Sequence, residues 1–192
     1  MDFITIDFET ATMKPESAIA VGLVKYHDYQ SIDSYYSLIR PPRLYIRPDF
    51  TEIHSLTVDD VKDAPDFSYL WENKISSAFR GCPLVAAHNA SFDMRVLKAV
   101  LEWYELPIPK LSYFCTLNLA RKAWPKLESH ALADLAKKFK INFNHHYALD
   151  DALACGKLVQ IAKEEFGSGK GIEDLLEFMG VEIKCLALYG ER

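Results

Sequence analysis

Three short stretches of the 192-residue chain carry side chains able to hold metal ions and move protons. In Asp7-Phe8-Glu9, two carboxylates stand at i and i+2. On a strand, that spacing projects both from one face, a short distance apart. Like charges so placed repel unless a cation lies between them. Taken alone, the pair equally fits a solvated strand face. The second stretch is His88-Asn89-Ala90-Ser91-Phe92-Asp93. It follows a short apolar run and opens a helical pattern, so Asp93 falls in the first turn, where the helix dipole favours a carboxylate. An Asn89 or Ser91 N-cap with a dipole-matching Asp93 accounts for the same residues. The third stretch, His146-Tyr147-Ala148-Leu149-Asp150-Asp151-Ala152, puts a histidine five residues before an aspartate at the start of an apolar-striped helix. That offset lets the imidazole fold back beside the carboxylate. A surface histidine next to an acidic helix N-terminus is the alternative, and His145 and Asp150 are the competing neighbours.

The elements that must position these residues follow from periodicity. From Phe3 to Glu9 the chain alternates, with Ile4, Ile6 and Phe8 on one face and Thr5, Asp7 and Glu9 on the other. Ala18–Tyr26 and Ser34–Ile39 read as further strands, and Leu84–Ala87 as a short buried one. Pro41, Pro42 and Pro48 mark an irregular excursion, followed by a short helix capped by Thr57. Helical stripes run through Phe67, Leu70, Trp71, Ile75 and Ala78, broken at Gly81-Cys82-Pro83, and again over Ser91–Tyr104. They return at Thr116–Trp124, at Ala131–Phe139 with Ser129 as the N-cap, and at Asp150–Phe166. Strands first and helices after, with an inserted strand, give an α/β domain with a mixed central sheet. Residues 1–166 form that domain. Gly167-Ser168-Gly169-Lys170-Gly171 begins a C-terminal appendage, 167–192, with a short helix over Ile172–Met179 and a strand or extended tail over Val181–Tyr189. Its stripe of Ile172, Leu175, Leu176 and Met179 should pack against something, because exposure would be costly.

Bulk properties narrow the function classes. With 49% hydrophobic residues and 26% charged, the chain can bury one core of ordinary size. No apolar run approaches the roughly 20 residues that span a bilayer, and the acidic N-terminus does not read as a signal peptide. The four cysteines form no CxxC pair, so free thiols in the cytoplasm are expected rather than a zinc site or disulfide framework. A net charge of −5 disfavours tight binding to nucleic acid by electrostatics alone. It suits a site where clustered acids hold cations that supply the local positive charge.

Together and in this order, the three stretches resemble the motifs of the DEDD superfamily of 3′→5′ exonucleases, in the subgroup whose third motif carries a histidine. Asp7-Phe8-Glu9-Thr10 matches Asp-x-Glu-Thr, His88–Asp93 matches His-Asn-Ala-x-Phe-Asp, and His146–Ala152 matches His-x-Ala-x-x-Asp-Ala. The match singles out His146 and Asp151 from their neighbours. Ile53-His54-Ser55-Leu56-Thr57, Asp63-Ala64-Pro65-Asp66-Phe67, Phe114-Cys115-Thr116-Leu117 and Ser129-His130-Ala131-Leu132 are further likenesses, over residues 1 to about 166. The branch resembled includes the epsilon proofreading subunit of bacterial DNA polymerase III and its stand-alone homologues. Tyr147 stands where the family usually has a basic residue, and Ser55 where it has glycine.

The resemblance implies a ribonuclease-H-like fold with a mixed sheet flanked by helices. It implies that Asp7, Glu9, Asp93 and Asp151 hold two divalent cations, and hard oxygen ligands suit Mg²⁺ or Mn²⁺. His146 is then the general base. Thr10, His54 and Phe92 are the candidates for holding the terminal nucleotide, although Phe92 fits a core position equally and His54 a solvated loop. Lys137, Lys138 and Lys140 read as a solvated helix face more readily than as a phosphate contact. The expected partner is the 3′ end of a nucleic acid, preferably single-stranded, with a DNA polymerase or replication and repair proteins as possible company and no membrane. The expected reaction is release of nucleoside 5′-monophosphates from DNA. An exoribonuclease or short-oligonucleotide nuclease of the same superfamily, a vestigial polymerase-associated module and, on the same ligands, a metal-dependent phosphatase are the alternatives.

Overall fold

The alternating N-terminal segment becomes an inner strand of a mixed sheet. The computed structural model describes residues 2–80, 84–167, 169 and 171–186. In it, β1 (Asp2–Thr10) pairs antiparallel with β2 (Ala18–His27), which pairs antiparallel with β3 (Gln30–Leu38). On its other side β1 pairs parallel with β4 (Leu84–Ala87), followed by parallel β5 (Leu111–Cys115) and antiparallel β6 (Lys184–Leu186). The order is β3-β2-β1-β4-β5-β6, the mixed sheet of an α/β domain expected from the sequence.

Both faces are covered. Ile4, Ile6 and Phe8 enter a core with Val96, Leu97, Val100 and Leu101 and with Phe67, Trp71 and Ile75. Phe3, Val24 and Tyr26 enter the opposite core with Phe114, Ala152 and Val159. Fully burying a leucine such as Leu97 or Leu101 contributes about 1.5–3 kcal/mol. The helices are α1 (Pro48–His54), α2 (Val58–Val61), α3 (Phe67–Leu70), a π-helical turn (Trp71–Ile75), α4 (Ser76–Ala78), α5 (Ser91–Trp103), α6 (Thr116–Ala123), α7 (Leu132–Phe139), α8 (Ala148–Phe166) and α9 (Ile172–Phe178).

Several expectations need correction. Pro48 does not sit in an irregular excursion. It opens α1, where its fixed φ and missing N–H are tolerated in the first turn. β5 was not expected, because a five-residue strand behind two prolines gives little periodicity. β3 begins at Gln30 rather than Ser34, since its first residues are exposed and a lone Ile32 among polar neighbours sets no alternation. Ser129 is not the cap of α7. Its hydroxyl accepts the N–H of Ala131, and the helix starts one residue later. Thr57 does precede α2, with its N–H and hydroxyl both donating to Asp60.

Beyond Gly167, Ile172, Leu175 and Leu176 are buried in the core that holds Phe3 and Phe114, and Met179 packs against it. The Gly81-Cys82-Pro83 break, Ser168 and Lys170 of the glycine-rich stretch, and the tail beyond Leu186 lie outside the described residues.

Candidate active site

The β1–β4 ladder ends at the Thr5–Ala86 pair, and the start of α5 takes over beyond it. The Phe8 N–H donates to Asp93 Oδ1 at 3.1 Å. Asn89, with φ of 65°, makes the turn into the helix. On the other side of β1, Gly22 of β2 lies opposite Asp7. A Cβ there would fall 2.2 Å from the Ala148 carbonyl oxygen. This glycine lets the first turn of α8 rest on the sheet and brings Asp151 to the Asp7 side of β1. At Gly156, a Cβ would meet the Tyr26 hydroxyl at 2.0 Å, so the next turns of α8 lie equally close.

The third motif folds back as its spacing suggested, with the His146 imidazole beside the Asp151 carboxylate. The backbone N–H of His146, not its ring, donates to Asp151 Oδ2 at 2.8 Å. The imidazole reaches across to Glu9, with Nδ1 3.9 Å from Oε1. Glu9, His146 and Asp151 each offer one ligand atom within 4.8 Å of the others. The neighbours have other contacts. Asp150 accepts the Asn144 N–H at 2.9 Å, and the His145 ring lies against the His146 ring with centroids 3.7 Å apart.

Asp7, Glu9, Thr10, His54, Phe92, His146 and Asp151 line one cleft of about 800 Å³. Asp93 is buried just behind it, 1% exposed. Its Oδ2 and Asp151 Oδ1 are buried and, among the described residues, meet no hydrogen-bond donor. Phe92 lines the cleft while packing against the core under α5. His54 is buried rather than solvated. Its Nδ1 accepts the Leu56 N–H at 3.0 Å, while its Nε2 has no hydrogen-bond partner among the described residues. Ser55 caps α1 at φ of 62°, a left-handed conformation that favours the glycine seen in the family pattern. Lys137, Lys138 and Lys140 are exposed and do not line the cleft.

Electrostatics make the carboxylates costly as they stand. Burial first, then Asp93, Asp151 and Glu9, hold the Asp7 carboxyl far above its usual range. Burial, then Asp151 and Asp93, push Glu9 up to about 8. Burial raises Asp93 strongly, against the Phe8 N–H, and raises Asp151 to about 7, against the His146 N–H. A cation among these oxygens would relieve the repulsion and satisfy the two unpartnered oxygens. The all-oxygen set, with one imidazole beside it, fits a hard divalent ion.

Sequence reasoning missed part of the wall. Leu117 and Arg121, at i and i+4 on α6, line the cleft with Asn89 and His130. His88 Nε2 bonds the His130 carbonyl at 3.0 Å, and His130 Nε2 bonds the Trp124 carbonyl at 2.9 Å. Both carbonyls only accept, so each Nε2 carries the proton. Burial holds His88 down to about 4 and therefore neutral. The i and i+4 offset of Leu117 and Arg121 was a readable signal, whereas the two-histidine chain depends on a long-range contact.

Comparison with known proteins agrees with this geometry. The family described as Exonuclease (RNase_T) matches residues 4–159. The DNA polymerase III PolC-type of Thermotoga petrophila is 34% identical over 166 residues, covering 78% of this chain; the chain spans only 11% of that polymerase. Exonuclease X, solved in complex with 5′ overhanging duplex DNA, superposes with a TM-score of 0.73 at 28% identity, covering 93% of this chain and 99% of its own. The E. coli exonuclease I–single-stranded DNA complex in its zinc-bound form shares the fold, with a TM-score of 0.77 at 18% identity over 92% of this chain and 42% of its own. With its ribonuclease-H-like sheet and three motifs gathered at one cleft, the chain belongs to the exonuclease family, among the DEDD 3′→5′ exonucleases.

Proposed function

We propose that this chain hydrolyses the terminal phosphodiester of a DNA 3′ end and releases nucleoside 5′-monophosphates. One observation carries the reading. Four carboxylates from β1, α5 and α8 gather at one end of the sheet, two with unpartnered buried oxygens, and an imidazole stands beside them. Asp7, Glu9, Asp93 and Asp151 would hold two divalent cations, Mg²⁺ or Mn²⁺. When bound, such ions neutralise phosphate charge, acidify water and stabilise a leaving oxygen.

The chain's own groups do the rest. His146 takes the proton of the attacking water. Burial, with His145 and His54 adding to it, keeps its pKa below the ordinary histidine value, so the ring is neutral and able to accept near pH 7. The Asp151–His146 backbone bond fixes the loop that presents the ring. The water oxygen bonds to phosphorus, the bond from phosphorus to the 3′-oxygen breaks, and that oxygen takes a proton from solvent, leaving the shortened strand with a 3′-hydroxyl. Phe92 offers an apolar surface to the terminal base or sugar. Thr10 and His54, buried at the cleft wall, supply polar contacts to the same nucleotide, and the Arg121 guanidinium meets phosphate. The chain lacks no member of the ligand set, which weighs against a vestigial module.

The test is an end-labelled single strand, as DNA and as RNA, incubated with Mn²⁺ or with chelator. Stepwise shortening of DNA from the 3′ end, blocked by a 3′-phosphate, is expected. Cleavage of a closed circular single strand would refute the reading, and faster shortening of RNA would transfer it to the exoribonuclease alternative.

A further inference from the structure

A second groove, of about 330 Å³, lies beside the cleft and shares none of its lining residues. Three large side chains stand out around it: Met13 is 72% exposed, Tyr45 57% and Trp103 48%. A concave site lined by aromatic and apolar side chains with a few polar groups has the usual form of a binding site. Lys14, Arg43 and Arg47 line the same groove against a single acid, Glu16. Arg47 is engaged by Asp49 at 2.8 Å. Among the described residues no carboxylate pairs with Lys14 or Arg43. A locally cationic, aromatic groove on a chain of net charge −5 calls for an explanation.

The chain connects the groove to the cleft by short paths. Thr10 lines the cleft and Thr12 the groove. Arg47 precedes α1, whose Phe50, Ile53 and His54 line the cleft. The seven residues of α1 span about 10 Å at 1.5 Å each. Along α5, Asp93 and Trp103 stand about 15 Å apart by the same rise. Stacked nucleotides advance about 3.4 Å each, so the groove lies roughly three to four nucleotides from the reacting phosphate.

We propose that this groove binds the single strand upstream of the 3′-terminal nucleotide. Bases stack on Tyr45 and Trp103, and backbone phosphates meet Lys14 and Arg43. Stacking is indifferent to sequence because every base has a π-face, which suits an enzyme that must accept whatever base comes next. Cations without carboxylate partners among the described residues, within a few nucleotides' reach of a cleft that takes a strand end, favour a polyanion with flat bases over a protein partner. The inference rests on the nucleic-acid reading of the cleft.

The experiment compares the wild-type chain with Trp103→Ala, Trp103→Phe and Arg43→Glu on a dinucleotide and on a twelve-nucleotide single strand, in Mn²⁺. Trp103→Ala should raise KM for the long strand about tenfold and leave kcat and dinucleotide hydrolysis unchanged. Trp103→Phe should restore most of the loss, which a folding defect would not do. Arg43→Glu should weaken binding of the long strand and flatten its dependence on salt. Equal kinetics for all variants on the long strand would overturn the proposal and leave the groove to a protein partner. An equal loss on both substrates would overturn it too, placing these residues in the structural support of the cleft. Failure of the catalytic reading is distinct, since the wild type would then hydrolyse neither substrate.

Discussion

Asp7 and Glu9 stand on a strand laddered to β2 along its length, whereas His146 stands on the loop between α7 and α8. The carboxylates face one another across β1, α5 and α8 and repel, so only a stiff frame keeps them together. The sheet, the Phe8–Asp93 bond and the glycine at position 22 supply that stiffness. The imidazole is neutral and is not driven away, so lighter restraints suffice. It is held by two backbone-to-carboxylate bonds, from Asn144 and His146, and by the ring of Tyr147 against Tyr36, with φ of 67° at His146 itself. On the proposed reading, the division places charge on rigid elements and proton transfer on an adjustable one.

Removing a carboxylate from the stiff half should have the largest effect. Asp7→Asn should lower kcat/KM by about a thousandfold or more, because charge stabilisation worth several kcal/mol is lost. Circular dichroism should show the fold intact. His146→Ala should lower kcat by roughly 10²–10⁴-fold with little change in divalent-ion binding measured by calorimetry, and His145→Ala should change it only slightly. Since His146 is held below 6.5 and must be neutral to act, the acidic limb of the wild-type pH–rate profile should lie below that value and vanish in the variant. A variant at 146 that keeps the limb would assign the base elsewhere.

Gly22→Ala tests the frame without touching a functional group. The added methyl meets the Ala148 backbone, so the first turn of α8 must move and carry Asp151 with it. Overpacking of this kind costs about 1–3 kcal/mol, and an ångström of displacement at a reacting centre costs about a hundredfold in rate. Wild-type kcat in this variant would show that the close approach does not set the position of Asp151.

The stiff half should also reveal itself in stability. With chelator present, Glu9 titrates near 8 in the folded chain and near 4.5 when unfolded. Between those values the folded state holds the extra proton, so this group's stabilisation is complete below 4.5 and is lost as pH rises through 8. Glu9→Gln should therefore melt progressively higher than the wild type as pH is raised from 4.5 to 8. Each kcal/mol appears as about 2–4 °C, and saturating Mn²⁺ should reverse the difference. A constant offset across that range would mean that the carboxylate is not under repulsion.

How much of this was legible in the sequence depended on how local the cause was. Alternation gave β1, and the apolar stripe gave α5 and α8, because period alone determines which face is buried. The motif order brought Asp7, Asp93 and Asp151 together on paper. Helix α1 and strand β5 were not legible: one is announced by a proline that normally signals irregularity, and the other is too short to show a period. The role of Gly22 was hidden because nothing near it in sequence says that a helix starting at Ala148 will press on it. The burial of His54 was hidden for the same reason, since the strand end and helix that enclose it are set by tertiary packing.

The smallest expected effect lies in the adjustable half. Tyr147 takes the place of a basic residue in the family pattern, and its ring lies 4.4 Å from that of Tyr36 on β3. A basic side chain there could meet a phosphate directly, whereas tyrosine gives the loop a tie to the sheet. An aromatic pair contributes about 0.5–1.5 kcal/mol, so Tyr147→Ala should loosen the loop and lower kcat by about two- to tenfold. Loss of a phosphate contact would instead raise KM and reduce its salt dependence. Tyr36→Ala, which leaves the residue beside His146 intact, should reproduce the kcat effect, and combining the two should add little, because both remove the same contact. Additive losses in the double variant would show that Tyr147 acts on the substrate and not through the loop.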